Sequence, residues 1–186
     1  VKPNLSNLPK LPFTLNNPLL RDFEFETFDD ISRLLKSLLI ENHYQGIIHL
    51  AAVSDFHVDQ VDQDKAGPHK LPSGKPVTLT LKPNPKLIDS IKIWSRNSNI
   101  QLVGFKLTSS ATENEKNEKI QNLFKTAKCD YVVHNDFASI QNRNHFFEIH
   151  NRISKICDCE NKEKLFANLY PLLDIDNYKN ETFHGT

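Results

Sequence analysis

The chain has 186 residues and a mass of 21.4 kDa, the size of one large domain or of a domain with an arm. Twenty-three basic and 23 acidic residues balance to a formal net charge of zero, which gives no support to a sequence-independent nucleic-acid binder. No run approaches the ~20 apolar residues of a membrane span, nothing reads as a signal or transit peptide, and three cysteines point to a reducing, cytoplasmic compartment rather than a disulfide framework.

The absence of Met and the start at Val1 point to a trimmed or partial sequence. Five glycines leave little for phosphate loops, and neither G-x-G-x-x-G nor a Walker A motif occurs.

Residues 1–21 read as an irregular arm, broken by Pro3, Pro9, Pro12 and Pro18. The main α/β domain is expected over 22–174. Phe23 and Phe25 alternate with acidic residues like a short strand. Thr27 and Asp30 form a capping-box pattern ahead of a helix whose inner face is Ile31, Leu34, Leu35, Leu38 and Leu39. Ile47 to Leu50 reads as a buried strand. The polar stretch from Asp55 to Pro76 reads as a long loop of the functional kind. Val77, Leu79 and Leu81 alternate with threonines as a half-buried strand.

Pro85 suits the first turn of a helix carrying Leu87, Ile88, Ile91 and Trp94. Leu102 to Phe105 is the next strand. Thr112 and Glu115 cap a helix over 113–127, and Tyr131 to Val133 is a further strand. Phe147 to Ile156 predicts a hairpin around Asn151-Arg152. A last helix carries Leu165 to Leu173, and 175–186 is a polar tail. The alternation predicts an α/β fold: a three-layer, Rossmann-like, mostly parallel sheet with a C-terminal β-hairpin extension.

Ligands bind open α/β sheets beyond the carboxyl ends of the strands. That rule selects three places: Ala51 to Asp55, Lys106, and His134-Asn135-Asp136. Small residues at 51–52 admit a ligand close to the backbone. Asp55 suits a ribose or a metal, and Lys106 suits a phosphate. Each place has a plainer reading as a turn, a cap or a solvated charge. His57, Asp59 and His69 share one loop but lack zinc-type spacing with cysteine. No metal-ligating residue is therefore assigned. Cys157 and Cys159 would share one face of a strand, which reads as packing.

Six segments in order resemble the phosphopantothenate–cysteine ligase family, also called phosphopantothenoylcysteine synthetases. They are Ala51 to Phe56, then His69 to Leu81, then Asn84-Pro85-Lys86-Leu87. Val103 to Leu107 (VGFKL), Asp130 to Asp136 (DYVVHND) and Glu160 to Lys164 follow. The resemblance spans roughly 22–173. It implies an enzyme of coenzyme A biosynthesis that joins 4′-phosphopantothenate to cysteine through an acyl-nucleotidylate. CTP or ATP is the implied co-substrate, with Mg2+, in a cytoplasmic homodimer.

Carried over by motif, Lys70 would stabilise charge on the reacting phosphate. Ala51, Ala52, Asp55, Asn84, Pro85, Lys86, Leu87 and Phe105 would bind the nucleotide. Lys106 and Lys125 are further phosphate candidates. Two departures stand out. The paired helix lysines of bacterial members align with Leu123 and Ala127, and the family's Gly-Gly-Thr and Asn-x-Ser-Ser-Gly segments have no counterpart before residue 22. The first leaves the choice between CTP and ATP open, and the second leaves another reading, a non-catalytic relative that dimerises or regulates a partner.

Overall fold

The computed structural model describes residues 21–61, 64–65, 74, 76–140 and 145–173. The expected N-terminal arm up to residue 20 and the polar tail lie outside the described residues.

Two helices begin as their capping patterns predict. In α1 (Phe28–Glu41), Thr27 Oγ1 accepts from the Asp30 N–H at 3.1 Å, and Asp30 Oδ2 accepts from the Thr27 N–H at 3.0 Å. Thr112 and Glu115 close the same box on α3 (Glu113–Thr126). Between them, α2 spans Leu87–Trp94. Asn161 caps α4 (Lys162–Leu169), shorter than the helix expected to reach Leu173. The chain tightens into a 3-10 turn over Tyr170–Leu172, where Pro171 has no N–H to continue the α pattern.

The strands are β1 (Gly46–His49), β2 (Phe56–Val61), β3 (Asp64–Lys65), β4 (Leu79–Pro83), β5 (Gln101–Thr108), β6 (Tyr131–Asp136), β7 (Phe147–His150) and β8 (Lys155–Cys159). The main sheet runs β1-β5-β6-β7-β8. Its first three strands are parallel, and β7–β8 is an antiparallel hairpin added to β6. The expected three-layer α/β sheet with its hairpin extension is therefore what the chain forms.

Both faces of this sheet are covered. Leu102 and Val132 point to one face, with Leu39 of α1, Ile88 and Ile91 of α2, and Ile120 and Phe124 of α3. Val103 and Val133, one residue on, point to the other face, with Leu165 and Leu169 of α4. Asp130 fixes the start of the β5–β6 pair. Its N–H donates to the Leu102 carbonyl at 2.8 Å. Its Oδ2 accepts from the Leu102 N–H at 2.7 Å and from Lys92 Nζ at 2.8 Å.

Three expectations are corrected. Phe23 and Phe25 are exposed and form no strand. The segment expected to be one loop from Asp55 to Pro76 contains β2 and β3. The strand expected over 77–81 is β4, over Leu79–Pro83, and it pairs with β2 in a separate three-stranded sheet instead of joining the main one. Alternation reports burial of one face, and this ribbon buries neither: Phe56, Val58, Leu79 and Leu81 are all exposed.

Candidate functional site

The carboxyl ends of β1 and β5 and the start of α2 meet at one edge of the sheet. The segment Leu50 to Asp55 leaves β1 there, and Lys86 and Leu87 open α2 beside it. Together with Phe105, Lys106 and Asn135 they enclose a cavity of 390 Å³. Leu87, Ile88 and Leu123 form its apolar floor. A larger cavity of 690 Å³ adjoins it and shares Lys86, Lys106 and Leu123. This second space is lined by Lys119 and Lys125, with Glu115 and Glu118.

The structure thus brings together Ala51, Ala52, Asp55, Lys86, Leu87, Phe105 and Lys106, with Lys125 next door. Asn84 and Pro85 line neither cavity. Asn84 turns its side chain toward Ser54 and His57. Lys70 and His69 lie outside the described residues.

The electrostatics divide the site. Lys106 is half-buried, and its pKa is lowered by burial first, then by the charges of Lys86 and Lys119, against the pull of Asp55. Three ammonium groups near one another repel, and an anion among them relieves that repulsion. The other half presents two alanines and the Phe105 ring. Burial lowers the pKa of His49, at the back, which favours its neutral form.

A separate polar cluster occupies the far end of β6. His134, Asn135 and Asp136 lie within that strand, not after it. Asp136 serves as a turn cap, the plainer of its two readings. It accepts from the Thr108 hydroxyl and from the N–H groups of Ser110, Ala111 and Ala138. The Thr108 hydroxyl first, then those N–H groups, hold its carboxyl well below the usual range. His134 is buried, with Nε2 on Thr108 Oγ1 at 2.9 Å and Nδ1 facing Glu148 Oε2 at 3.3 Å. Glu148 also meets Lys116 and His150, each at 3.0 Å. Burial raises its pKa, but those two hydrogen bonds and the nearby positive charge outweigh it, leaving a carboxylate.

Among the described residues, no group of three or more His, Cys, Asp or Glu side chains could hold a metal. His57 Nδ1 is bonded to Asn84, and Asp59 faces Lys82 at 3.9 Å. Cys157 and Cys159 do share one face of β8, with their sulfurs 3.9 Å apart.

Sequence reasoning missed Lys119. It lies four residues before Leu123, whose side chain lines both cavities. On a helix that spacing shares a face, so it was available as a signal.

The fold and the site together define a Rossmann-like α/β domain with a lysine-rich cleft at the carboxyl edge of its sheet. The family profile of the DNA/pantothenate metabolism flavoprotein C-terminal domain matches residues 24–169. The chain belongs to that family. It is 35% identical over 112 residues to the coenzyme A biosynthesis bifunctional protein CoaBC of Thermococcus kodakarensis, covering 60% of this chain and 26% of that relative. The chain thus spans about a quarter of the length of that curated protein.

Among solved structures, it resembles the DNA/pantothenate metabolism flavoprotein from Streptococcus pneumoniae. The TM-score is 0.69 at 22% identity, over 84% of this chain and 72% of that one. A mutant of Cab2 in complex with phosphopantothenate-cysteine is also similar, with TM-score 0.54 at 22% identity, over 78% of this chain and 48% of that one. These two likenesses show the shared fold.

Proposed function

We propose that this chain carries the nucleotide-binding half of a phosphopantothenate–cysteine ligase acting in coenzyme A biosynthesis. The observation that carries the reading is the pair of adjoining cavities, one aromatic and small-residue, the other lined by lysines. A nucleoside fits the first and a triphosphate the second. Family membership and the CoaBC and Cab2 likenesses support it. The ligase unit is taken as 22–174, with Lys70 proposed as a charge-stabilising residue.

In this reading Phe105 packs on the base, and Ala51 and Ala52 let the ring approach the backbone. Asp55 accepts from a sugar hydroxyl. Lys86, Lys106, Lys119 and Lys125 face the phosphates of CTP or ATP. The carboxylate of 4′-phosphopantothenate attacks the α-phosphorus, and the bond to the bridging oxygen breaks to release pyrophosphate. The lysines neutralise charge that builds on the phosphate oxygens, which is the main way such transfers are accelerated. The cysteine amine then attacks the acyl carbon. The amide forms, the nucleotide monophosphate leaves, and the amine loses a proton to solvent. Mg2+ enters as the counter-ion of the nucleotide substrate.

A homodimer is part of the proposal. The β2–β4 ribbon pairs Val58 with Leu81, and with Phe56 and Leu79 these exposed residues give an apolar side suited to a second copy. No helix among the described residues is long and apolar enough to cross a membrane.

Calorimetric titration with CTP and with ATP, each with magnesium, tests the reading. Selective binding supports it and fixes the nucleotide. Binding of neither refutes it. The departures at Leu123 and Ala127 bear on the choice between CTP and ATP; the second reading is a non-catalytic relative. That reading predicts nucleotide binding without pyrophosphate release when both other substrates are present.

A further inference from the structure

Asn84 sits at the junction of three parts of the molecule. Behind it β4 ends at Pro83, ahead of it α2 begins at Leu87, and across from it runs segment 51–55, the wall of the smaller cavity. Its backbone N–H donates to the Asp55 carbonyl at 2.8 Å. Its side-chain Nδ2 donates to the Ser54 carbonyl at 2.9 Å. That assignment leaves Oδ1 as an acceptor, so His57 Nδ1, at 2.8 Å, carries the proton and donates to it.

Segment 51–55 has no regular structure of its own. Among the described residues, the hydrogen bonds that cross to it from elsewhere in the chain both come from Asn84. The Ser54 hydroxyl closes a local turn on the Phe56 carbonyl at 2.6 Å. Asn84 therefore links the cavity wall to the base of the exposed ribbon, through His57 of β2, without lining the cavity itself.

We propose that Asn84 is a positioning residue for the nucleoside half of the site. Its side chain sets the distance between the Ala51-Ala52 backbone and Phe105, and hence the slot for the base. The triphosphate half does not depend on it, because Lys106 and Lys119 are held by β5 and α3, and Lys86 is held at the start of α2, where its carbonyl accepts from the Asp89 N–H at 3.1 Å. This inference rests on the nucleotide reading above and adds that nucleoside recognition is coupled to the ribbon.

The experiment titrates the chain calorimetrically with CTP, with ATP and with inorganic triphosphate. The wild type is compared with Asn84→Ala, Asn84→Asp and His57→Ala. Loss of one wall hydrogen bond should weaken nucleotide binding about fivefold to tenfold in Asn84→Ala. Inorganic triphosphate should bind that variant as it binds the wild type, a split that general loosening of the fold would not produce. Asn84→Asp should weaken the nucleotide further, since it sets an anionic oxygen against the Ser54 carbonyl. His57→Ala should give a smaller loss in the same direction.

Hydrogen exchange supplies an arm that needs no ligand: amides 51–55 should exchange faster in Asn84→Ala. Equal nucleotide affinity in wild type and Asn84→Ala overturns the proposal alone. So does parallel loss of nucleotide and triphosphate, or unchanged exchange over 51–55. A wild type that binds triphosphate but gains nothing from the nucleoside overturns the nucleotide reading, and this inference with it.

Discussion

Gly104 lies in β5, immediately before Phe105 and Lys106, and the helices on that face come close to its backbone. A Cβ placed there would stand 2.8 Å from Cys129 Sγ, 3.0 Å from Ile88 Cδ1 and 3.6 Å from Leu123 Cδ1. The first distance is a clash, and the sulfur is fully buried in a close-packed core. Two effects of Gly104→Ala oppose each other. Restricting the unfolded chain stabilises by about 0.4–1 kcal/mol. Overpacking a filled core costs about 1–3 kcal/mol. The second prevails, for a net loss of about 1–2 kcal/mol.

At this chain length that corresponds to a melting temperature lower by about 2–8 °C. Thermal melts followed by circular dichroism measure it. The cause is isolated by a cycle with Cys129→Ala, which keeps Cβ and removes the clashing sulfur. The double variant should be more stable than the sum of the singles by about 0.5–3 kcal/mol. A Gly104→Ala protein that melts at or above the wild type, with no coupling to Cys129, would refute the account of this strand. Ile88 and Leu123 also line the smaller cavity, so on the proposed function the displaced helices should weaken nucleotide binding in the same variant.

Three other outcomes follow from the site. Lys106→Ala and Lys119→Ala should each weaken nucleotide and inorganic triphosphate about tenfold and flatten the salt dependence of both; unchanged titrations would remove them from the phosphate site. Asp136 has a lower pKa folded than unfolded, so its contribution to stability is present above about pH 4 and is lost as pH falls toward the folded value. Melts from pH 7 to pH 2 should show a smaller drop in Asp136→Asn, from a lower starting point. Burial pushes the Cys129 thiol up to about 12, so alkylation at pH 8 should proceed only as fast as the protein opens, in contrast to a reactive surface cysteine.

What could be read in advance depended on how local its cause was. The capping boxes at Thr27 and Thr112 were legible because both partners lie three residues apart. The parallel strands were legible because β5 and β6 are buried on both faces, giving the runs Leu102-Val103 and Val132-Val133. The ribbon was not. Alternation at Val77, Leu79 and Leu81 marked a strand at β4, but β2 and β3 begin in a polar stretch, and their pairing with β4 into a separate sheet left no local mark. Phe23 and Phe25 show the converse, an alternation without a strand. In the site, motif position located Ala51, Ala52, Asp55 and Phe105, which sit at strand ends. It also named Asn84, which lines neither cavity, because its side chain is turned to tertiary partners, here Ser54 and His57.

Asp130 has a reach beyond the bonds it makes. Successive residues of a strand point to opposite faces, so a slip of one residue exchanges the two faces of that strand. By holding both backbone groups of Leu102 it fixes which residues of β5 face α3. Lys106 therefore stands on the side of Lys119, and Phe105 on the opposite side. The separation of a cationic wall from an aromatic one at the carboxyl edge thus depends on a register that Asp130 helps to hold at the other end of the strand, touching neither. A substitution at Asp130 would release the Leu102 N–H and Lys92 from their shared acceptor, loosening the start of the strand whose other end carries both walls.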